Sequence, residues 1–122
     1  MTKKTNVILA GEGSQAMERC AECLRNGGFE AKVVEKDGRK LLKTAIADKP
    51  AAIVMDSFMS GLDALGVLEE GGKELKENKI LVFVMSSVEN SRFEEEILAA
   101  GADYYFLKPF DCGHVAERIR KM

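Results

Sequence analysis

The chain has 122 residues, 46% of them hydrophobic, which is enough for one domain with its own core and leaves no room for a second. Lys and Arg number 18 against 20 Asp and Glu, so the strong basic field of a nucleic-acid-binding protein is absent. Near the N-terminus the continuous apolar run Val7 to Ala10 is too short for a signal peptide or membrane span, and this predicts a cytoplasmic single domain over residues 1–122.

Short apolar runs alternate five times with segments of helical periodicity, which is the pattern of repeated strand–helix units. The second run is interrupted by Glu30 and Lys32, which predicts an edge strand. The predicted strands are Thr5–Ala10, Phe29–Val34, Ala51–Met55, Ile80–Met85 and Tyr104–Leu107. The sequence therefore predicts an α/β fold with a mainly parallel sheet.

Capping residues and helix-ending residues separate these strands. Asp37 and Asp111 can cap the second and fifth helices, and Asn90 or Ser91 can cap the fourth. The third helix is predicted from Leu62, Leu65 and Leu68, but three glycines weaken its pattern and leave its boundaries open. Ser14 can cap the first helix, and the residues predicted to end the first, second and fourth helices are Gly27 and Gly28, Lys49 and Pro50, and Gly101, respectively.

Two of the three cysteines, Cys20 and Cys23, form a C-x-x-C pair inside the first predicted helix. Such a pair can bind metal or exchange disulfides, but no second ligand pair follows, and His114 is far away in sequence. We therefore interpret Cys20 and Cys23 as small apolar residues on the buried side of the helix, without a zinc or redox role.

Polar residues follow four of the predicted strands, at the edge where a parallel sheet binds its ligands. A carboxylate pair there can hold Mg²⁺, while a hydroxyl and an ammonium bind phosphoryl oxygens. Asp56 would then be a nucleophile that forms an acyl phosphate. The residues in chain order are Gly11 and Glu12, Asp56, Ser86 and Ser87, and Lys108.

At these residues the chain resembles the receiver domains of bacterial two-component response regulators over essentially its whole length. The strongest matches are AIVMDSFMSGLDAL around Asp56 and AAGADYYFLKPFD around Lys108. The resemblance implies a flavodoxin-like, doubly wound sheet in the order 2-1-3-4-5 with helices on both faces. It also implies that Asp56 is phosphorylated by a histidine kinase with Mg²⁺, and that the Ser86 hydroxyl follows the phosphoryl group.

The same resemblance assigns roles near the fifth strand and in the loop after Asp56. Lys108 matches the family lysine, whose bond to the next proline is characteristically cis, and Tyr105 matches the aromatic switch position. The residues matching the positions that tune phosphoryl lifetime are Phe58 and Val88. Since neither apolar side chain can position an attacking water, we expect a long-lived aspartyl phosphate.

The metal site departs from the family pattern. The implied Mg²⁺ ligands are Glu12, Asp56 and the backbone carbonyl of Phe58. The family usually has two adjacent acids after the first strand, and here the spacing to Asp56 puts Gly11 and Glu12 there. One carboxylate is missing and the other is one methylene longer, so we expect weaker Mg²⁺ binding.

The implied partners are a sensor histidine kinase or phosphotransfer protein and a downstream protein target or output domain. They would meet a surface formed by the fourth helix, fifth strand and fifth helix, which repacks upon phosphorylation. We expect a signalling domain, not an enzyme, with no direct contact to nucleic acid or membrane.

Two other interpretations stay open. The first is a degenerate receiver that acts as a protein-interaction module without phosphorylation. The second is a small flavin- or nucleotide-binding domain, suggested by Gly11 and Gly13 after the first strand. Ala16 stands where the third glycine of a dinucleotide fingerprint would fall, and Glu35 is the one acid at the ribose distance.

Overall fold

The computed structural model describes residues 5–11, 15–108 and 111–121, in which five strands alternate with five helices. Every strand boundary lies within one residue of its predicted position. The strands are β1 Asn6–Ala10, β2 Glu30–Val34, β3 Ala52–Asp56, β4 Leu81–Ser86 and β5 Tyr104–Leu107. The helices are α1 Gln15–Asn26, α2 Gly38–Asp48, α3 Ala64–Glu77, α4 Ser91–Ala99 and α5 Cys112–Arg120.

The strands form one parallel sheet in the order β2-β1-β3-β4-β5. This confirms the predicted fold class and strand order. It also confirms the edge position of β2, whose exposed Glu30 and Lys32 face water at the side of the sheet. β3 lies at the centre and is buried along its whole length, so its last residue, Asp56, lies in the middle of the carboxyl edge.

Helices cover both faces of the sheet, because successive strand residues point to opposite sides. In β1, Val7 and Leu9 belong to the core under α1 and α5, while Ile8 and Ala10 belong to the core under α2, α3 and α4. Both cores are made of buried apolar residues, and the core under α1 and α5 includes Phe29 and Phe83. None of the helices in the described ranges has the length and apolar character needed to cross a membrane.

The third helix is longer and more regular than its glycines suggest. It runs from Ala64 to Glu77, and the Asp63 carboxylate caps it by accepting the Gly66 N–H at 2.8 Å. A Cβ atom at Gly71 would lie 2.2 Å from a methyl carbon of Leu42 in α2. Gly71 thus allows α2 and α3 to pack closely, and this packing outweighs its low helix propensity.

The predicted burial of the C-x-x-C pair is confirmed for Cys20 and wrong for Cys23. Cys20 is a free, buried thiol, and burial raises its pKa to about 12. Cys23 is exposed and forms a disulfide with Cys112, with 6.5 Å between the Cα atoms. The packing of α1 against α5 brings these two positions together, although 89 residues separate them in sequence.

Candidate functional site

Asp56 is the buried carboxylate around which the carboxyl edge of the sheet is arranged. It is 7% exposed, because β3 is covered on both faces and its side chain leaves the core only at the end of the strand. Oδ1 accepts a long hydrogen bond from the Phe58 N–H, at 3.4 Å. Oδ2 is the oxygen that faces the cationic groups of the site.

Two lysine ammonium groups contact Oδ2 of Asp56. Lys108 follows β5, its backbone N–H donates to the Ser86 carbonyl at 2.9 Å, and its ammonium donates to Oδ2. Lys36 comes from the loop between β2 and α2, and its Nζ lies 3.2 Å from the same oxygen. The carboxylate is therefore neutralised from two sides, by one predicted residue and one that was not predicted.

The hydroxyl of Ser86, at the end of β4, is fully buried and already engaged. It accepts a hydrogen bond from the Ser57 hydroxyl at 2.9 Å and another from the Val88 N–H at 3.0 Å. Ser57 directly follows Asp56 and is also buried. The two serines link the end of β3 to the end of β4 through their side chains.

A row of aromatic side chains in contact with one another runs from the loop after Asp56 to β5. Phe58, 53% exposed, stacks on Phe93 of α4 with 5.8 Å between ring centroids, and Phe93 meets Tyr105 edge to face at 6.1 Å. The Tyr105 hydroxyl donates to the Val88 carbonyl at 2.6 Å. The predicted switch residue is thus held against the loop between β4 and α4. Of the two predicted lifetime residues, Val88 bonds to Tyr105 directly, and Phe58 is linked to it through Phe93.

The described residues do not by themselves make a Mg²⁺ site. Gly11, buried at the end of β1, offers no side chain, and its N–H donates to the Val34 carbonyl at 3.1 Å. The predicted ligand Glu12 lies outside the described residues, as does Pro109 of the predicted cis bond. The described ranges contain no group of three or more His, Cys, Asp or Glu side chains suited to a metal, and Asp56 has ammonium neighbours instead.

Ser57 and Lys36 are the two site residues that the sequence analysis missed. Ser57 could have been found, because it directly follows Asp56 at the carboxyl end of β3. Lys36 follows β2 at the same edge of the sheet, but β1 separates that strand from β3. The contact depends on the reach of a lysine side chain across a neighbouring strand, which no local pattern shows.

The family model that matches this sequence is described as the response regulator receiver domain, and the match covers residues 7–120. This range contains every strand and helix of the fold except the first residue of β1. It also contains all the contacts described around Asp56.

Similar proteins include two transcriptional regulatory proteins. PrrA of Mycobacterium tuberculosis is 30% identical over 118 residues, which are 95% of this chain and 48% of PrrA. PhoP of Bacillus subtilis, a regulator of alkaline phosphatase synthesis, is 30% identical over 99 residues, which are 80% of this chain and 39% of PhoP. The chain therefore spans less than half the length of either relative.

A solved structure with the same fold is that of the receiver domain of the Francisella response regulator 1452. The TM-score is 0.85 with 22% sequence identity, and the alignment covers 97% of this chain and 95% of that one. At this level of identity the likeness concerns the fold alone.

Proposed function

The chain belongs to the response regulator receiver domain family, and on this basis we propose that Asp56 accepts a phosphoryl group from a histidine kinase or phosphotransfer protein. Receiver domains are signalling domains of two-component systems and not conventional enzymes. The observation that carries the proposal is the buried Asp56 carboxylate at the end of β3, with the Lys108 ammonium on Oδ2. We also propose that residues 1–122 form one receiver unit.

In the proposed reaction, a carboxylate oxygen of Asp56 attacks the phosphorus of a phosphohistidine. A P–O bond forms, the P–N bond breaks, and its electron pair stays on the imidazole nitrogen, which takes a proton from solvent. Lys108 would neutralise negative charge on the phosphoryl oxygens, and the Ser86 hydroxyl would donate to one of them. In the structure that hydroxyl accepts from Ser57 and from the Val88 N–H, and neither bond uses the proton that it would donate.

Receiver domains generally bind Mg²⁺ at the phosphorylation site. For this chain we propose weak binding by Asp56, the carbonyl of Phe58 and Glu12. The argument for weakness is the donor set, because Gly11 gives no carboxylate and an ammonium already contacts Asp56. Magnesium loses its waters reluctantly and needs a near-octahedral set of oxygens, so an incomplete set lowers its affinity.

We propose that phosphorylation changes the surface formed by α4, β5 and α5, with Tyr105 as the switch residue. The partners would be a kinase or phosphotransfer protein on one side and a downstream protein or output domain on the other. PrrA and PhoP are named transcriptional regulators, so the comparisons do not support the expectation that nucleic acid plays no part. A cytoplasmic location stays a prediction.

The test is intact-mass analysis after incubation with a small phosphodonor and Mg²⁺. We expect the wild type to gain one phosphoryl group and Asp56→Asn to gain none, since the amide is not a nucleophile of this kind. Asp48→Asn is the matched control, because Asp48 is an exposed carboxylate at the end of α2, and it should gain the group as the wild type does. An equal gain in Asp56→Asn would refute the assignment.

A degenerate receiver that binds partners without phosphorylation is the second candidate. It is favoured by one observation, the additional Lys36 ammonium that contacts Oδ2 of Asp56 before any phosphoryl group arrives. If the wild type gains no mass from several phosphodonors and from a histidine kinase, this second function replaces the first. The flavin- or nucleotide-binding alternative receives no support from the comparisons, since the receiver match spans residues 7–120.

A further inference from the structure

Lys36 is held beside Asp56 by its backbone as well as by its charge. Its carbonyl accepts the Ser60 N–H at 3.3 Å, and the Ser60 carbonyl accepts the Gly38 N–H at 2.9 Å. These bonds join the loop before α2 to the loop after Asp56. A Cβ atom at Gly38 would lie 1.9 Å from the Leu62 carbonyl oxygen, so glycine is needed for the close approach of the two loops.

The path of Lys36 to Asp56 crosses the end of β1. β1 lies between β2 and β3, and Ala10 pairs with Val34 on one side and Met55 on the other. The next residue, Gly11, has no side chain to place at this edge. The Lys36 ammonium therefore reaches Asp56 of β3 from beyond the end of β2, a strand that does not pair with β3.

We infer that Lys36 is a built-in counter-ion of the Asp56 carboxylate that competes with a divalent cation for Oδ2. The inference rests on the proposed acceptor role of Asp56 and adds a residue that tunes its metal dependence. A metal ion coordinating Asp56 would lie within a few ångströms of the Lys36 ammonium, and two cations at that distance repel each other. Lys36 must turn away for metal to bind, and this lowers the apparent metal affinity.

The side chain of Lys36 is 44% exposed, which allows it to move into solvent. Asp56, in contrast, is held by β3 and cannot follow it. The ammonium therefore acts as a displaceable group rather than as a fixed part of the core. Removing it should leave the fold intact, and thermal melting of the variant checks this.

The experiment titrates Mg²⁺ into isotopically labelled protein and follows the amide signals of Ser57 and Phe58 by NMR. The Phe58 N–H contacts Asp56 directly, so its signal reports on binding at this carboxylate. We expect Lys36→Gln to tighten Mg²⁺ binding roughly fivefold, the size of a half-exposed ion pair. Lys36→Arg keeps the charge and should bind as the wild type does.

Lys43→Gln is the matched control for net charge, since Lys43 is an exposed lysine of α2. It should leave the affinity unchanged, and Asp56→Asn should abolish the shifts. Equal affinities for Lys36→Gln and Lys43→Gln would overturn the inference, as would a lack of Mg²⁺ shifts in every variant. The acceptor role is judged separately, by the mass gain at Asp56, so either proposal can fail while the other stands.

Discussion

The site around Asp56 has two sides that differ in how closely they follow the family. The β4–β5 side, consisting of Ser86 and Lys108, supplies the hydroxyl and the ammonium that the proposed phosphoryl transfer would use. The β1–β2 side, consisting of Gly11 and Lys36, supplies no carboxylate among the described residues and adds an ammonium group. In the proposed reaction, the groups that bind phosphoryl oxygens and the groups that affect metal binding would therefore lie on opposite sides of one carboxylate.

The largest difference between the two sides is expected when each lysine is removed in turn. We expect Lys108→Met to slow phosphorylation by about 100-fold, the usual loss when one charge-stabilising group is removed from a transition state. Lys36→Met should not slow it at saturating Mg²⁺, because there the metal replaces its charge. The measurement is the rate of mass gain with a small phosphodonor, and equal losses in both variants would show that the two sides act alike.

A smaller effect is expected at the boundary of the site, where Phe58 stacks on Phe93. Phe58→Asn should speed hydrolysis of the aspartyl phosphate by roughly tenfold, because a polar side chain at this position can hold the attacking water. The decay of phosphorylated protein, followed by intact mass, gives the rate. Phe58→Leu is the control, and an acceleration of the same size there would point to lost stacking instead of water positioning.

The smallest effect concerns the hydroxyl pair of the β4–β5 side. Ser57→Ala removes the donor to Ser86 and should lower the free energy of unfolding by about 1 kcal/mol, the typical net value of one hydrogen bond. Urea unfolding measures the change, and Ser87→Ala, an exposed serine nearby, should be close to neutral. No loss in Ser57→Ala would mean that this hydrogen bond contributes nothing to stability.

Sequence patterns predicted the elements whose signals are local. The capping residues Asp37, Asn90 and Asp111 each accept backbone N–H groups at the predicted helix starts. The length of α3 was harder to predict, because the reason for Gly71 lies on another helix, at Leu42. Local propensity cannot include a contact that forms only after two helices pack.

The same limit explains what was missed at the site and among the cysteines. Asp56 and Lys108 are marked by their positions directly after short apolar runs, and this is visible in sequence. The contact of Lys36 with Asp56 depends on the length of the lysine side chain. The pairing of Cys23 with Cys112 depends on packing between segments that are distant in sequence. Both errors concern side chains whose partners come from elements that are not adjacent in the chain.

The disulfide between Cys23 and Cys112 makes a covalent ring of the chain between the first and last helices. Asp56 and both lysines that contact it lie inside this ring. A single proteolytic cut in any loop between the two cysteines would therefore open the ring without separating the pieces. The nicked protein would keep its mass, apart from one added water, until a reductant released two fragments.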